Sequence, residues 1–157
     1  MNTHLIIRKA ETSESDYLSD LALRSKSYWG YSREFMIACK EELQVTEKKM
    51  SKLHYWIAQN EDGIAGFYAL EFLSESEYEL EALFVDPKYI GNGFGKMLVA
   101  HAKSSAKILG ARKLVIQGDP NASKFYLAAG GVLTGESESG SIPGRFLPTF
   151  CIFLQET

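Results

Sequence analysis

Polar and apolar positions alternate along Glu77–Val85 with a period of two. Glu77, Glu79 and Glu81 fall on one face, and Tyr78, Leu80 and Ala82 on the other, the pattern of a strand with one covered side. The run turns wholly apolar at Leu83-Phe84-Val85 and stops at Asp86-Pro87, where proline removes the ladder donor. A different period follows. Phe94, Met97, Leu98, His101, Ser105, Ile108 and Leu109 recur at close to 3.6 residues, which predicts a helix closed by Gly110.

Weaker patterns fill in the rest. Leu5-Ile6-Ile7 before Arg8-Lys9 reads as a first strand. Thr12 or Ser13 then caps a helix carrying Leu18, Leu21, Ala22 and Ser25 on one side. Tyr28-Trp29-Gly30-Tyr31 breaks it, and Ser32 caps a second helix through Phe35, Met36, Cys39 and Leu43. Tyr55–Ala58 and Ile64–Leu70 are predicted strands joined by a polar turn ending in Asp62-Gly63, a hairpin signal. Leu114–Ile116 reads as a short buried strand and Ala122–Ala129 as a short helix ended by Gly130-Gly131. A polar hairpin, Gly135–Gly144, leads into a last strand, Phe146–Leu154. No repeat or linker interrupts the order, so residues 1–157 are expected to form one domain of mixed α/β class.

Composition narrows this picture. A chain of 157 residues with 45% apolar and 24% charged positions fits one globular domain and excludes collagen-like, coiled-coil and disordered readings. No apolar run approaches the ~20 residues that span a bilayer, so no membrane role is expected. The start, Met1 to His4, reaches Arg8 and Lys9 after three apolar residues, unlike a secretory leader. Cys39 and Cys151 form no close-spaced motif, and His4, His54 and His101 show no metal spacing. A reduced, cytoplasmic protein without a metal is the expectation. Seventeen basic against 20 acidic residues give a net charge of −3, which argues against nucleic-acid binding.

The charges are sorted, however. Glu71 to Asp86 holds six acids and no base, and Lys88 to Gly118 holds six bases and no acid. Between these blocks lies Gly91-Asn92-Gly93-Phe94-Gly95-Lys96, three glycines at alternate positions after a strand and before a basic helix. Such a loop can turn successive N–H groups and a helix N-terminus towards one anion. The spacing is neither the dinucleotide fingerprint nor a Walker loop, because Met97 follows Lys96 and the helix carries no acid. Taken alone the glycines would be a plain turn; the basic helix favours phosphate. A nucleotide-binding protein is the weaker rival on this evidence.

In combination, Leu83-Phe84-Val85-Asp86-Pro87, Gly91-Asn92-Gly93-Phe94-Gly95 and Asn121-Ala122-Ser123-Lys124-Phe125-Tyr126-Leu127-Ala128-Ala129-Gly130 resemble the GNAT superfamily of acyl-CoA N-acyltransferases. The resemblance runs from about Glu77 to Leu154, and the N-terminal half matches in element order only. It implies a splayed, mostly antiparallel mixed sheet flanked by helices, with acetyl-CoA lying between the strand ending at Val85 and the strand Leu114–Ile116. Two positions depart from the family pattern. Ile90 stands where Arg or Gln is usual, leaving the pyrophosphate to main-chain amides and Lys96. Gly131 stands where a bulky apolar residue commonly follows Gly130.

The resemblance also implies roles. Leu83, Phe84 and Val85 would pair with the pantetheine arm; Gly91, Asn92, Gly93, Phe94, Gly95 and Lys96 would hold the phosphates. Tyr126 would protonate the departing thiolate, a phenol near 10 and a thiol near 8.5 being matched closely enough; the plainer reading packs it with Phe125 against the sheet. Glu79 as base and Glu81 as acceptor wall lie on one face by parity, beside Leu83 and Val85 unless a bulge intervenes; an exposed acidic face competes evenly. Asn121 would meet the pantetheine, cap the short helix, or both. Trp29 and Tyr31 would line the acceptor mouth, and Arg145 would meet an anionic group of the acceptor, against core packing and an ordinary turn. His101, on the apolar face, reads as a satisfied core histidine. The expected activity is acetyl transfer from acetyl-CoA to a primary amine of a small molecule or peptide, in a fold that commonly forms homodimers. A non-catalytic acyl-CoA-binding module is the alternative.

Overall fold

The computed structural model describes residues 5–154, so the expectation about the leader, and His4, lie outside the described residues. Its strands are β1 (Ile6–Lys9), β2 (His54–Asn60), β3 (Gly63–Ser74), β4 (Glu77–Val85), β5 (Lys113–Gln117), β6 (Val132–Glu138) and β7 (Phe146–Phe153). They form one sheet in the order β1-β2-β3-β4-β5-β7-β6. Every neighbouring pair is antiparallel except β4–β5, which is parallel. The helices are α1 (Ser15–Ser27), α2 (Arg33–Leu43), α3 (Glu47–Lys52), α4 (Phe94–Ile108) and α5 (Ser123–Ala128). The mixed, largely antiparallel sheet implied by the family resemblance is the sheet observed.

Both faces of the sheet are covered, which explains the unbroken apolar run in β3. Phe67 and Ala69 pack towards Leu18, Leu21 and Ala22 of α1, while Tyr68 and Leu70 pack towards Leu98, Val99 and Ala102 of α4. A strand buried on both sides needs apolar residues at every position, not every second one. Each fully buried Leu or Phe contributes roughly 1.5–3 kcal/mol of transfer free energy. His101 is half-buried and satisfied: its Nδ1 lies 2.7 Å from the Tyr68 hydroxyl, which also meets Ser105 Oγ at 2.9 Å.

Several elements differ from expectation. Helix α1 is preceded by a 3-10 turn over Thr12–Glu14, and Glu14 accepts from the Glu11 N–H at 2.8 Å, so Glu11 rather than Thr12 or Ser13 begins it. Helix α3, capped by Thr46, escapes a search for apolar periodicity because Glu47-Lys48-Lys49-Met50-Ser51-Lys52 holds one apolar residue. Strand β6 begins at Val132, before the hairpin predicted from Gly135, and its residues are nearly all exposed, as suits a sheet edge.

Two irregularities shape the centre of the sheet. Register between β3 and β4 runs Ala69↔Ala82 and then Leu70↔Leu80, which leaves Glu81 as an extra residue in β4. The parallel ladder from β4 to β5 holds only at Glu77↔Lys113, Tyr78↔Leu114 and Glu79↔Val115. Beyond it β4 keeps its partner β3, β5 keeps β7, and the two strands part. The close approach of Gly66 to β4 is tested by substitution. A Cβ there would stand 2.6 Å from the Phe84 carbonyl oxygen, so Gly66→Ala is expected to cost about 1–3 kcal/mol, measured by urea denaturation.

Candidate active site

A cleft of about 530 Å³ opens where β4 and β5 part. At one end lies the glycine loop. After a 3-10 turn at Pro87–Tyr89, Gly91 and Gly93 take φ of +91° and +81°, and Gly93 caps α4. The N–H of Asn92 donates to Tyr89 and that of Met97 to Gly93. The N–H groups of Gly91, Gly93, Phe94, Gly95 and Lys96 have no hydrogen-bond partner among the described residues. Unpaired amides at the positive end of a 15-residue helix present the geometry that favours an anion. Gly91, Gly93, Phe94, Gly95 and Lys96 line the cleft; Asn92 is exposed beside it. Ile90 also lines it, with an exposed side chain that can offer no donor. The other departure has a steric cause: a Cβ on Gly131 would stand 2.8 Å from the Tyr126 carbonyl oxygen.

The acidic block divides at the extra residue. Tyr78 and Leu80 pack towards α4 with Leu83 and Val85, while Ala82 and Phe84 pack towards α1. The parity expectation therefore fails. Glu79 does not share a face with Leu83 and Val85, because the bulge at Glu81 reverses the alternation. Glu81 lines the cleft together with Leu83, Phe84 and Val85, whereas Glu79 does not. Glu79 sits opposite Glu71 in the ladder; burial first, then Glu71 and Glu81, push its carboxyl up to about 7. Burial also raises Glu81, with Glu71 and Glu42 adding to it and Lys49 opposing. Glu81 Oε2 is buried and has no hydrogen-bond partner among the described residues. Burial raises the proton affinity of a carboxylate so placed, which makes its ionised form a stronger base than an exposed glutamate.

Tyr126 projects from α5 against Gly118 and Phe150, with 8% of its surface exposed. It lines the cleft, its hydroxyl has no hydrogen-bond partner among the described residues, and burial, then Asp119, push it well above the usual phenol range. The Phe125 ring packs edge-on against it, so packing and a cleft-facing position coexist.

The mouth is held by contacts the sequence did not disclose. Asp119 accepts from Lys26 Nζ at 2.5 Å and from the Tyr31 hydroxyl at 2.7 Å. Burial works to raise this carboxyl, but Lys26, the Asn121 amide and Tyr31 together hold it below the usual range. Tyr31 is pushed up to about 12 by burial and then by Asp119. Asp119, not Asn121, caps the short turn, accepting from the Asn121 N–H at 2.8 Å. The Asn121 side chain donates to the Tyr31 hydroxyl at 2.9 Å, and Arg145 Nη2 donates to it at 3.0 Å. Trp29, Asn121 and Arg145 line the cleft, and Tyr31 stands behind them. Lys26 and Asp119 were missed because the contacts that join Asp119 to Lys26 and Tyr31 span 93 and 88 residues.

A family model described as an acetyltransferase (GNAT) domain matches residues 51–130, from α3 through the glycine loop to the end of α5. The chain belongs to this family. Among curated relatives, the peptidyl-lysine N-acetyltransferase YjaB of Escherichia coli (strain K12) is 39% identical over 84 residues, covering 53% of this chain and 52% of that protein. Its Salmonella typhimurium counterpart is 37% identical over 84 residues. The chain thus spans about half the length of the curated relatives it matches. Among solved structures, the GCN5-related N-acetyltransferase from Rhodopseudomonas palustris superposes with a TM-score of 0.79 at 21% identity, covering 98% of this chain and 99% of that one. The paia N-acetyltransferase from Thermoplasma acidophilum, in complex with coenzyme A, gives 0.78 at 21% identity, covering 96% and 99%. At these identities the likeness is one of fold.

The acidic pair makes stability depend on pH. A glutamate ordinarily ionises near 4.5, and Glu79 does so at about 7 in the fold. Between those values the native state holds the extra proton, so stability is greatest below the lower value and falls as pH rises through the upper one. Glu79→Gln is expected to flatten that decline, raising Tm at pH 8 relative to the parent more than at pH 4.5, as read by thermal denaturation in matched buffers.

Proposed function

We propose that this GNAT-family chain transfers an acetyl group from acetyl-CoA to a primary amine of a small molecule or peptide. The observation that carries the proposal is the five unpaired amides of residues 91 and 93–96 at one end of a cleft whose other walls hold Glu81 and Tyr126. The amides and Lys96 would receive the diphosphate, and the free edge of β4 beyond Glu79 would pair with the pantetheine arm as a strand would. The amine attacks the thioester carbonyl directly. Glu81 takes the ammonium proton and can hand it on to Glu79; a backbone N–H near the bulge supports the oxyanion; Tyr126 protonates the thiolate. Leu83, Phe84 and Val85 form the wall along which the arm lies, and Trp29, Tyr31 and Arg145 the acceptor side.

Support for an amine acceptor comes from the acidic wall and from the relatives' peptidyl-lysine activity. No cluster of metal-ligating residues occurs among the described residues. The chain would act as one domain in the cytoplasm, where its two free thiols, Cys39 and Cys151, stay reduced, as a monomer or homodimer.

Acetyl-CoA and CoA are expected to raise Tm where NAD and ATP do not, since a ligand bound only by the native state stabilises it. Gly93→Val forces a β-branched residue into φ +81°, a strain of about 1–3 kcal/mol, and is expected to abolish that shift. Retention of the shift would remove the loop from the assignment.

Thiol release with an amine panel separates an enzyme from a binding module. Tyr126→Phe is expected to lower kcat at least about tenfold while leaving the KM for acetyl-CoA nearly unchanged. Glu81→Gln is expected to lower kcat/KM and remove its rise with pH. Unchanged turnover in either variant removes that residue from the mechanism.

A further inference from the structure

The cluster at the cleft mouth holds two cations and one anion. Asp119 Oδ2 lies 2.5 Å from Lys26 Nζ and 3.6 Å from Arg145 Nη2, and the three side chains are only 14%, 14% and 19% exposed in the order Asp119, Lys26, Arg145. Lys26 takes the short contact. Arg145 directs its side-chain hydrogen bond to the neutral Tyr31 hydroxyl instead, 3.0 Å away. A guanidinium carries five N–H donors, and the others have no hydrogen-bond partner among the described residues. Its plane is set by Phe35, whose ring centre is 4.7 Å from the guanidinium carbon and which stacks on Tyr31 at 4.0 Å. A surplus cation, largely dried and held still against an aromatic face, is completed by an anion.

The same cleft also carries acids. Glu42 and Glu81 line it together with Lys49, and the Lys49 ammonium donates to the carbonyls of Glu42 and Gln44 at 3.1 and 2.9 Å. Lys96 and the unpaired amides form a separate anion site on the glycine loop. The surplus charge at Arg145 is therefore left for a second anionic group, in the same cleft as the carboxylates that suit an ammonium.

On the basis of acetyl transfer to an amine, we propose that the acceptor also carries a carboxylate, as an amino acid does, and that Arg145 receives it with Lys26 and Asp119 fixing the cluster behind. Tyr31 and Phe35 are positioning residues here, holding the fork so that its free donors meet both carboxylate oxygens.

Titration calorimetry on the CoA-saturated protein tests this with paired probes that differ only in the carboxylate: L-lysine against L-lysinamide, and 5-aminopentanoate against pentylamine. The carboxylate-bearing member of a pair is expected to bind at least about tenfold more tightly. Arg145→Gln should bring the pair to near parity, and Arg145→Lys should keep part of the difference. The Kd for CoA should be unchanged in both variants. Equal binding within both pairs, or no binding by any probe, overturns the proposal, and the parent protein alone decides this should a variant fail to fold. A loss confined to CoA affinity in Arg145→Gln also overturns it, assigning the charge to the cofactor. Acetyl transfer is judged separately: absence of thiol release with every amine sinks that activity while leaving the binding difference readable.

Discussion

The parting of β4 from β5 after three ladder pairs is the constraint on which everything else depends. Its physical origin is one extra residue. Glu81 interrupts the β3–β4 register two positions after the last β4–β5 pair, Glu79↔Val115, and a bulge bends its strand and increases its twist. The same insertion leaves the β4 edge without a strand partner beyond Glu79 and reverses which residues face α1 and α4. It also puts a carboxylate at the apex of the opening. Neither strand is left unsupported, because β3 continues to hold β4 and β7 continues to hold β5. The cleft is a stable feature of the sheet, needing no empty space in the core.

What lies around the opening follows from where the elements end. At the end of β4, Asp86 donates its N–H to Ala65, accepts from the Lys88 N–H, and pairs with Arg24 of α1 at 3.0 Å. That junction fixes the start of the glycine loop and hence the direction of the amides beyond it. At the end of β5, Asp119 collects Lys26 from α1, Tyr31 from the loop between α1 and α2, and Asn121 from its own turn. One aspartate after each strand thus ties the sheet to the same helical layer. The arms are separated by a bulge and fastened at their tips.

Local periods were legible in the sequence, and contacts between distant segments were not. The bounds of β4, the start of α4 and the glycine loop follow from alternation, a 3.6-residue period and glycine spacing, each contained within about a dozen residues. Helix α3 and strand β6 lack such periods, one being nearly all polar and the other exposed on both sides. A bulge was allowed for, but its position was not legible because alternation in Glu77–Ala82 continues smoothly through Glu81; only pairing with β3 reveals that this residue has no opposite. Tyr126 could be placed in the cleft because its motif is local. The partners of Asp119 could not, since no signal within its own segment names a lysine or a tyrosine on another element.

The substitution at Ile90 follows the same logic of backbone over side chain. A donor side chain at that position would contribute one charged contact, screened by solvent at an exposed site. The five amides at 91 and 93–96 are instead fixed by φ values that only glycine adopts without strain at 91 and 93, and they are aligned with the dipole of a 15-residue helix. Their directionality is set when the chain folds, so no side-chain entropy is lost when an anion arrives. An apolar residue at 90 then leaves anion binding dependent on loop geometry more than on charge. Recognition should accordingly weaken less with added salt than in a site built on an arginine.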